Sequence, residues 1–400
     1  MKRLFLTTAI SLTATAAFAD TRTDVLTTYA DIAAATYGDS LTTAQTLQAA
    51  VDALIAEPSE TNLTAARTAW KAARVPYQQS EVFRFGNPIV DDWEGGLNAW
   101  PLDEGLIDYV DANPTFTLSG KEIDATEITP DLLKNTLQEA DGVEANVATG
   151  YHAIEFLLWG QDLNGNGPGA GNRPWTDYAV GDDCTNNNCD RRGAYLKAAT
   201  QLLVSDLEWM SAQWADGGDA RANVMADEGA GISAMLTGMG SLSYGEQAGE
   251  RMRLGLMLND PEEEHDCFSD NTHNSHYYDG LGIQNVYLGS YTRIDGSTVS
   301  GASLSDLVAE ADAALDTEMR LKLATTMREL GEIKTAAETG FAYDQMLAAG
   351  NAAGEELVMG GVNALIDQTR SIERVVATLG VDGIAFEGSD SLDNPGAVFE

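Results

Sequence analysis

Residues 353–379 read AGEELVMGGVNALIDQTRSIERVVATL, and their apolar periodicity indicates the class of fold. The apolar stripe of this segment comprises Val362, Leu365, Ile366, Thr369, Ile372 and Val376. Side chains separated by three or four positions lie on one face of an α-helix. Because the same periodicity recurs through most of the chain, without a convincing series of alternating strand patterns, the sequence predicts an all-α fold.

The other helical segments group into two halves. We expect an N-terminal helical bundle over residues 20–215 and a C-terminal helical bundle over residues 216–400, which together form one domain with long irregular loops. Residues 215–235 are rich in Gly, Ala and Asp, which is typical of a hinge between halves. The pattern also predicts one helix over residues 130–160 and a polar, His-rich loop over residues 259–300.

The composition is strongly acidic. The 400 residues include 23 Lys or Arg and 62 Asp or Glu, which gives a formal net charge of −39. Proteins that bind nucleic acids or anionic lipids need a basic surface, so neither class fits this chain. Hydrophobic residues make up 44% of the sequence, which is enough for a sizeable core. The acidity is consistent with cation binding and with adaptation to salt.

The first 19 residues have the pattern of a secretory signal peptide. A basic start and a short apolar stretch precede Ala17-Phe18-Ala19, which matches the small-residue cleavage pattern. No cysteine lies at the predicted cut after Ala19, so the sequence offers no lipid attachment there. We therefore expect a periplasmic, cell-surface or secreted protein.

Two of the three cysteines bracket a short polar loop. Cys184 and Cys189 enclose Thr-Asn-Asn-Asn, and an oxidising compartment favours a local disulfide between them. A metal-binding pair is the alternative, although the chain has no second pair of closely spaced cysteines to complete such a site. The third cysteine, Cys267, is predicted to be a small buried apolar residue.

The segment Gly150-Tyr-His-Ala-Ile-Glu155 combines an imidazole and a carboxylate. On a helix, His152 and Glu155 lie three positions apart and project from one face. The neighbouring stripe is apolar, so we expect this helix to be buried on most sides. A buried carboxylate is costly unless it is paired or bound to a cation, and this donor pair suits iron or zinc. The alternative is a His–Glu hydrogen bond within the core.

A second helix offers further candidates. Its mixed stripe comprises Trp70, Arg74, Tyr77 and Glu81, spaced four, three and four residues apart. Aromatic and ionisable groups on one stripe suit the wall of a site, with Glu81 as a metal ligand and Arg74 as a counter-ion. An interfacial salt bridge is the alternative. Asp103 and Asp108, after Trp100-Pro101, are further acidic candidates.

Three of the four histidines fall within residues 265–276. The surrounding sequence is Glu-Glu-Glu-His265-Asp-Cys-Phe-Ser-Asp-Asn-Thr-His273. Histidine is the commonest metal ligand in proteins, so His265 is a candidate ligand. Ser269, Asp270 and Asn271 could bind a substrate or orient ligands. Polar residues of this kind also build turns, in which case His273 and His276 would be exposed.

Two metal motifs are incomplete. Asp162-Leu-Asn-Gly-Asn-Gly167 matches the start of an EF-hand calcium loop, but the twelfth position holds Arg173 rather than Glu. His152-x-x-Glu155 differs from the zinc-protease pattern His-Glu-x-x-His and lacks the final His of its inverted form. The sequence therefore shows neither a complete calcium loop nor the ligand set of a zinc protease.

Several segments together resemble one family. They are Gly150-x-His152-x-x-Glu155 with Leu-Leu-Trp-Gly160 after it, Trp70-x-x-x-Arg74-x-x-Tyr77-x-x-x-Glu81, Trp100-Pro-Leu-Asp103, Gly167-Pro-Gly, His265-Asp-Cys-Phe-Ser-Asp-Asn-Thr-His273, Gly282-Ile-Gln-Asn-Val-Tyr-Leu-Gly289 and Asp390-Ser-Leu-Asp. The chain resembles the imelysin family, catalogued among metallopeptidases, in its iron-regulated protein A branch. The resemblance implies two helical-bundle halves with the His-x-x-Glu site near their junction, export, and a role in iron uptake.

By position, His152 and Glu155 are the family's motif residues, and Glu81, Asp103 or Asp108, and His265 are their companions. The leading hypothesis is an exported protein that binds iron or another divalent or trivalent metal, free or as a chelate, and assists bacterial iron uptake with a membrane transport partner. A metallopeptidase using Glu155 is the second hypothesis. The third is a module that binds an anion or sugar through Arg74 and Ser269 without a metal. The sequence leaves the oligomeric state open.

Overall fold

A computed structural model describes residues 10–104, 115–118 and 121–399. Helices dominate these residues, as the periodicity predicts. In chain order they are α1 (Ile10–Ala56), α2 (Glu60–Gln78), α3 (Pro88–Glu94), α4 (Pro130–Leu132), α5 (Gly150–Trp159), α6 (Cys189–Trp214), α7 (Asp219–Met225), α8 (Glu228–Ser241), α9 (Leu254–Leu258), α10 (Thr272–Leu288), α11 (Leu304–Ala311), α12 (Ala313–Glu338), α13 (Tyr343–Leu347), α14 (Ala352–Leu379) and α15 (Asp390–Asp393). The all-α prediction is confirmed.

Short irregular helices and two hairpins join these elements. The π-helical segments are Leu133–Leu137 and Leu242–Arg253, and the 3-10 turns include Glu81–Phe83 and Cys267–Ser269. Strands β1 (Thr115–Leu118) and β2 (Lys121–Asp124) pair antiparallel, with Thr115 opposite Asp124. Strands β3 (Ser290–Thr292) and β4 (Thr298–Ser300) also pair antiparallel, with Ser290 opposite Ser300.

Helix α14 shows how the apolar stripe is used. Asn351 caps the start of the helix, because its side chain accepts a hydrogen bond from the backbone N–H of Gly354. The stripe residues Val362, Leu365 and Ile372 are fully buried. The helix ends at Leu379, and the next residue, Gly380, closes the last turn in the left-handed conformation with a φ of +61°.

Three hydrophobic clusters make up the core. The first joins the second half of α1 to α2, α5 and α6, and also takes in Cys267 and Phe268. The second joins the first half of α1 to α7, α8, α10, α11 and α12 and the end of α14. The third lies between the segment Leu242–Arg253, α12, α13 and α14. Helix α1 thus contributes to two clusters, and the division into residues 20–215 and 216–400 stays a prediction.

Two predicted segments differ from the structure because of their glycines and local turns. The single helix over residues 130–160 is wrong, since Glu139 and Asp141 adopt left-handed backbone angles and α5 begins only at Gly150. The stretch over residues 215–235 forms α7 and most of α8 rather than an irregular linker, and its role as a hinge between halves stays a prediction. Its small residues allow close packing: a Cβ at Gly231 would lie 2.2 Å from the Val224 carbonyl oxygen.

The polar loop predicted over residues 259–300 contains helix α10. Its polar side chains are buried rather than solvated, and His276 and Asp279 have no exposed surface. A Cβ at Gly282 would lie 2.6 Å from the carbonyl oxygen of Gln79, so this glycine lets α10 approach the chain just after α2. Polarity does not mean exposure here: Asp279, for example, is paired with Arg251 on another segment.

The disulfide prediction is confirmed. Cys184 and Cys189 form a bond with an S–S distance of 1.99 Å, and Cys267 is a buried free thiol. Within the part of the chain that the structure covers, no helix is long and apolar enough to cross a membrane. Of the predicted signal peptide, residues 1–9 lie outside the described residues, so the signal peptide stays a prediction.

Candidate functional site

Helix α5 is the centre of the candidate site, and all ten of its residues are buried. Gly150 begins the helix with a φ of +78°, and a Cβ there would lie 2.2 Å from the carbonyl oxygen of Leu97. The next residue, Tyr151, donates its backbone N–H to that same oxygen at 2.7 Å. Only glycine fits this approach, which explains physically why the motif starts with glycine.

His152 and Glu155 form a hydrogen-bonded pair with no exposed surface. The distance from His152 Nδ1 to Glu155 Oε2 is 3.1 Å. The second carboxylate oxygen, Oε1, accepts the backbone N–H of Ser269 at 2.9 Å. Both oxygens of Glu155 therefore have partners. In contrast, His152 Nε2 is buried and has no hydrogen-bond partner among the described atoms.

Asp266 anchors the motif loop to helix α2. Its Oδ1 accepts Arg74 Nη2 at 2.7 Å, and its Oδ2 accepts Ser275 Oγ at 2.5 Å and Asn271 Nδ2 at 2.9 Å. Arg74 also donates through Nη1 to Asn98 Oδ1 at 2.5 Å. Arg74 is 1% exposed and Asp266 is fully buried, so this pair is stable only as a hydrogen-bonded unit.

Three potential metal-binding side chains meet beside this pair. One donor atom each of His152, His265 and Asp266 lie within 4.8 Å of one another. The ring centres of His152 and His265 are 4.8 Å apart. His265 Nε2 lies 3.1 Å from Asn98 Nδ2. The sequence pattern identifies His152 and His265 as candidates but misses Asp266, which follows His265 directly. Its burial cannot be read from a polar stretch that resembles a loop.

The electrostatics of the cluster keep its imidazoles neutral and its aspartate ionised. Burial, and then Arg74, hold the pKa of His152 well below its usual range. Burial, and then Arg251, do the same for the pKa of His265. Burial alone would raise the pKa of Asp266, but the Arg74 charge outweighs it and lowers the pKa to about 2. Neutral imidazole and ionised carboxylate are the forms that bind metals.

Glu155 behaves differently from Asp266. Burial, followed by the nearby Asp266 carboxylate, raises the pKa of Glu155 well above its usual range. The carboxyl group of Glu155 accepts a hydrogen bond from the backbone N–H of Ser269 and contacts His152 Nδ1, so it can hold the imidazole ring in one orientation. Glu155 therefore suits a positioning role, which leaves His152 Nε2 available as a metal ligand.

The aromatic stripe of α2 packs against α5. Trp70 Nε1 donates to the carbonyl oxygen of Tyr151 at 3.0 Å. The Arg74 guanidinium lies 5.1 Å from the centre of the Tyr151 ring, and the rings of Tyr77 and Tyr151 are 4.6 Å apart. These contacts hold α2 against α5 and fix Arg74 beside Asp266.

Of the other predicted metal ligands, Glu81 and Asp103 do not join this cluster. Helix α2 ends at Gln78, so the helical spacing from Tyr77 to Glu81 is lost. Glu81 instead pairs with Arg251, with Nη2 and Oε2 2.7 Å apart. Asp103 is exposed, and Asp108 lies outside the described residues.

The candidates in the His265–His273 motif have separate positions. Ser269 contributes its backbone N–H to Glu155, and its hydroxyl has no partner in the described part of the chain. Asn271 binds Asp266, whereas Asp270 is half-buried and turns the chain with a φ of +51°. His273 and His276 are buried, so the alternative in which they are exposed is wrong.

A second polar centre surrounds Arg251, which the sequence patterns do not identify. Besides Glu81, Arg251 contacts Glu246 at 2.7 Å and Asp279 at 3.1 Å. Arg251 is 6% exposed, and the three carboxylates around it more than balance its single positive charge. The network joins the segment Leu242–Arg253 to α10 and to the turn after α2, which fixes the elements beside His265.

Asp344 is a buried carboxylate without a hydrogen-bond partner among the described atoms. Burial, and then Asp270, raise its pKa from 3.8 to about 7. The folded protein therefore holds a proton that the unfolded chain releases between about pH 4 and pH 7, so the free energy of unfolding falls as the pH rises through this window.

We expect Asp344→Asn, which removes this ionisation, to be more stable than the wild type at pH 8 by on the order of 1 kcal/mol, and equally stable near pH 4. Urea unfolding at both pH values measures the difference. The exposed Asp382→Asn is the matched control, for which we expect no change at either pH. A constant difference between Asp344→Asn and the wild type across the range would contradict the explanation.

Comparison with known proteins identifies the family of the chain. The sequence model of the imelysin family matches residues 33–372, and the chain therefore belongs to the imelysin family. Iron-regulated protein A of Synechococcus elongatus is 24% identical over 333 residues, which cover 80% of this chain and 76% of that protein. The resemblance that the motifs indicated is confirmed.

Two solved structures share the fold. A candidate iron-regulated protein A precursor from Parabacteroides distasonis is 21% identical, with a TM-score of 0.68 over 90% of this chain and 95% of that chain. An imelysin-like protein from Psychrobacter arcticum is 17% identical, with a TM-score of 0.59 over 92% of this chain and 98% of that chain. At these identities the likeness extends to the fold alone.

Proposed function

We propose that this protein is an exported iron-binding protein that holds the metal between His152, His265 and Asp266 and assists iron uptake. The observation that supports it most is the buried, unpartnered Nε2 of His152 beside a second imidazole and an ionised carboxylate. A buried nitrogen without a partner is costly unless a ligand binds it. Two imidazoles and one carboxylate are a donor set typical of Fe(II).

The donor set fits a metal in further ways. Ligand atoms around one first-row metal ion lie at about 2.0–2.2 Å from it, so donors within 4.8 Å need only small side-chain movements to meet. Glu155 orients the His152 ring through Nδ1, as outer carboxylates do for metal-bound histidines. Asp266 Oδ1 accepts a hydrogen bond only from Arg74 Nη2 and keeps a lone pair, whereas Oδ2 already accepts from Arg74, Asn271 and Ser275.

The uptake role rests on the family and on the name of a relative. Iron-regulated protein A of Synechococcus elongatus supports a link to iron. The word precursor in the description of the Parabacteroides structure is consistent with export of that protein. A membrane transport component that receives the metal is the partner that this proposal implies.

Neither alternative hypothesis is favoured by the contacts. Glu155 has no exposed surface, and burial raises its pKa well above the usual range, so it is poorly suited to take a proton from water as a peptidase base does. Arg74 is engaged by Asp266 and Asn98 and is 1% exposed, so an anion or sugar would have to displace a buried ion pair.

The test is isothermal titration calorimetry, in which Fe(II) is added to the purified metal-free protein under anaerobic conditions. We expect one ion bound per chain and effective competition from Zn(II), because both ions accept imidazole nitrogen. Ca(II) serves as the matched control, because it prefers oxygen ligands and would not displace the iron. Absence of Fe(II) binding, or equal competition by Ca(II), would overturn the proposal.

A further inference from the structure

An acidic cleft leads to the candidate metal site. It has a volume of about 640 Å³, and His265, Asn98 and Trp100 are among its lining residues. His265 is one of the three donors of the cluster, and the Trp100 ring packs on the ring of His152 with centres 5.0 Å apart. The cleft therefore reaches one of the three donors, His265, and its wall residue Trp100 contacts a second, His152.

Two arginines lie in the wall of the cleft, and their charges are already matched by acids. Arg84 lies 2.9 Å from Asp91, 3.5 Å from Glu94 and 3.6 Å from Glu246. Arg251 is surrounded by three carboxylates in the same way. Neither guanidinium is left as a positive site for an anionic ligand.

Further carboxylates in the wall have no such partner. They are Asp92, Glu139, Glu144, Glu250 and Glu263. None of them forms a salt bridge with another residue that the structure describes, and all except the half-buried Glu263 are exposed. The cleft is thus negatively charged from its rim to the residues beside His265.

We propose that this cleft is the approach by which free hydrated cations reach His152, His265 and Asp266, and that it excludes anionic metal chelates. The proposal rests on the proposed function and adds the form in which the metal arrives. Its second, independent support is that His265 lines the cleft and is one of the three donors, beside His152, whose fully buried Nε2 has no partner among the described residues.

The physical basis is the focusing of the electric field in a cleft with low-dielectric walls. A row of like charges raises the local concentration of oppositely charged ions and speeds their association by about 10- to 1000-fold at low ionic strength. The same field lowers the local concentration of an anionic chelate. The charge of the cleft therefore decides which form of a metal enters.

The test uses a variant with four neutralised rim residues. It carries Asp92→Asn, Glu139→Gln, Glu144→Gln and Glu250→Gln. These side chains are exposed and form no salt bridge within the described ranges, so the substitutions leave the core and the donor set unchanged. The matched control removes the same four charges at exposed positions outside the cleft, through Glu208→Gln, Glu310→Gln, Glu356→Gln and Asp382→Asn.

The association rate of Fe(II) is measured by stopped flow under anaerobic conditions, with the fluorescence of Trp100 and its neighbours as the signal. At about 0.01 M salt, where the screening length is about 30 Å, we expect the rim variant to bind roughly tenfold more slowly than the wild type and the control. At about 1 M salt, where this length is about 3 Å, the three rates should converge. Ferric citrate, an anionic chelate, should bind the wild type much more slowly than Fe(II) does.

The possible results separate the two proposals. If the rim variant binds Fe(II) as fast as the wild type at low salt, the cleft is not the approach, while the metal site stands. Equal rates for ferric citrate and Fe(II) in the wild type would also overturn the selection of free cations. If the wild type binds no Fe(II), the proposed function fails and this inference fails with it.

Discussion

Replacing His152 by alanine is expected to weaken Fe(II) binding by about 100-fold or more. The change removes the one buried nitrogen of the cluster that has no protein partner among the described residues. Altering groups that merely orient a ligand costs about 10- to 100-fold in metal affinity, so the loss of a ligand should cost at least as much. Anaerobic calorimetry of the wild type and the variant measures the effect directly.

His273→Ala is the matched control for this prediction. His273 is another buried imidazole, close to the cluster in sequence, but its ring contacts Asn274 rather than Asp266. We expect its Fe(II) affinity to change by less than about threefold, whereas His265→Ala should repeat the loss seen in His152→Ala. Circular dichroism confirms that each variant is folded. Unchanged affinity in a folded His152→Ala protein would show that the metal binds elsewhere.

Replacing Arg74 by methionine is expected to lower the free energy of unfolding by about 3–5 kcal/mol. The change leaves the fully buried Asp266 carboxylate without its cation and Asn98 without a donor. An uncompensated buried charge is costly, whereas the apolar volume of methionine roughly replaces that of the arginine stem. Equilibrium unfolding in urea measures the loss.

The exposed pair of Arg374 and Glu318 provides the control. Its atoms are 2.5 Å apart, but the Arg374 side chain is 56% exposed. Arg374→Met should therefore cost less than about 1 kcal/mol. Adding Asp266→Asn to Arg74→Met should recover part of the lost stability, because it removes the uncompensated charge. A loss below about 1 kcal/mol in Arg74→Met would mean that the Arg74–Asp266 pair does not hold the site together.

The fold class could be predicted from sequence because the apolar stripes are regular. Val362, Leu365 and Ile372 repeat at helical spacing and are fully buried. The local disulfide could also be predicted, because Cys184 and Cys189 are close in sequence. Each of these features depends on residues that are close together along the chain, and the spacing of such residues can be read directly from a single sequence.

The composition of the site could be predicted only in part. His152, Glu155 and Arg74 share motifs that place them on helices, and the structure brings all three together. The sequence pattern does not identify Asp266 as a site residue, because its burial depends on Arg74, a residue 192 positions away. The assignment of Glu81 to the site fails because it extends helical spacing beyond Gln78, where the helix ends. Contacts between distant segments cannot be deduced from local periodicity.

The most direct test of the metal site is anomalous X-ray diffraction at the iron absorption edge from crystals of the Fe(II)-loaded protein. We predict one anomalous peak per chain within bonding distance of His152 Nε2, a nitrogen of His265 and a carboxylate oxygen of Asp266, at about 2.0–2.2 Å. A peak that lies elsewhere, with His152 Nε2 outside its coordination shell, would contradict the central claim.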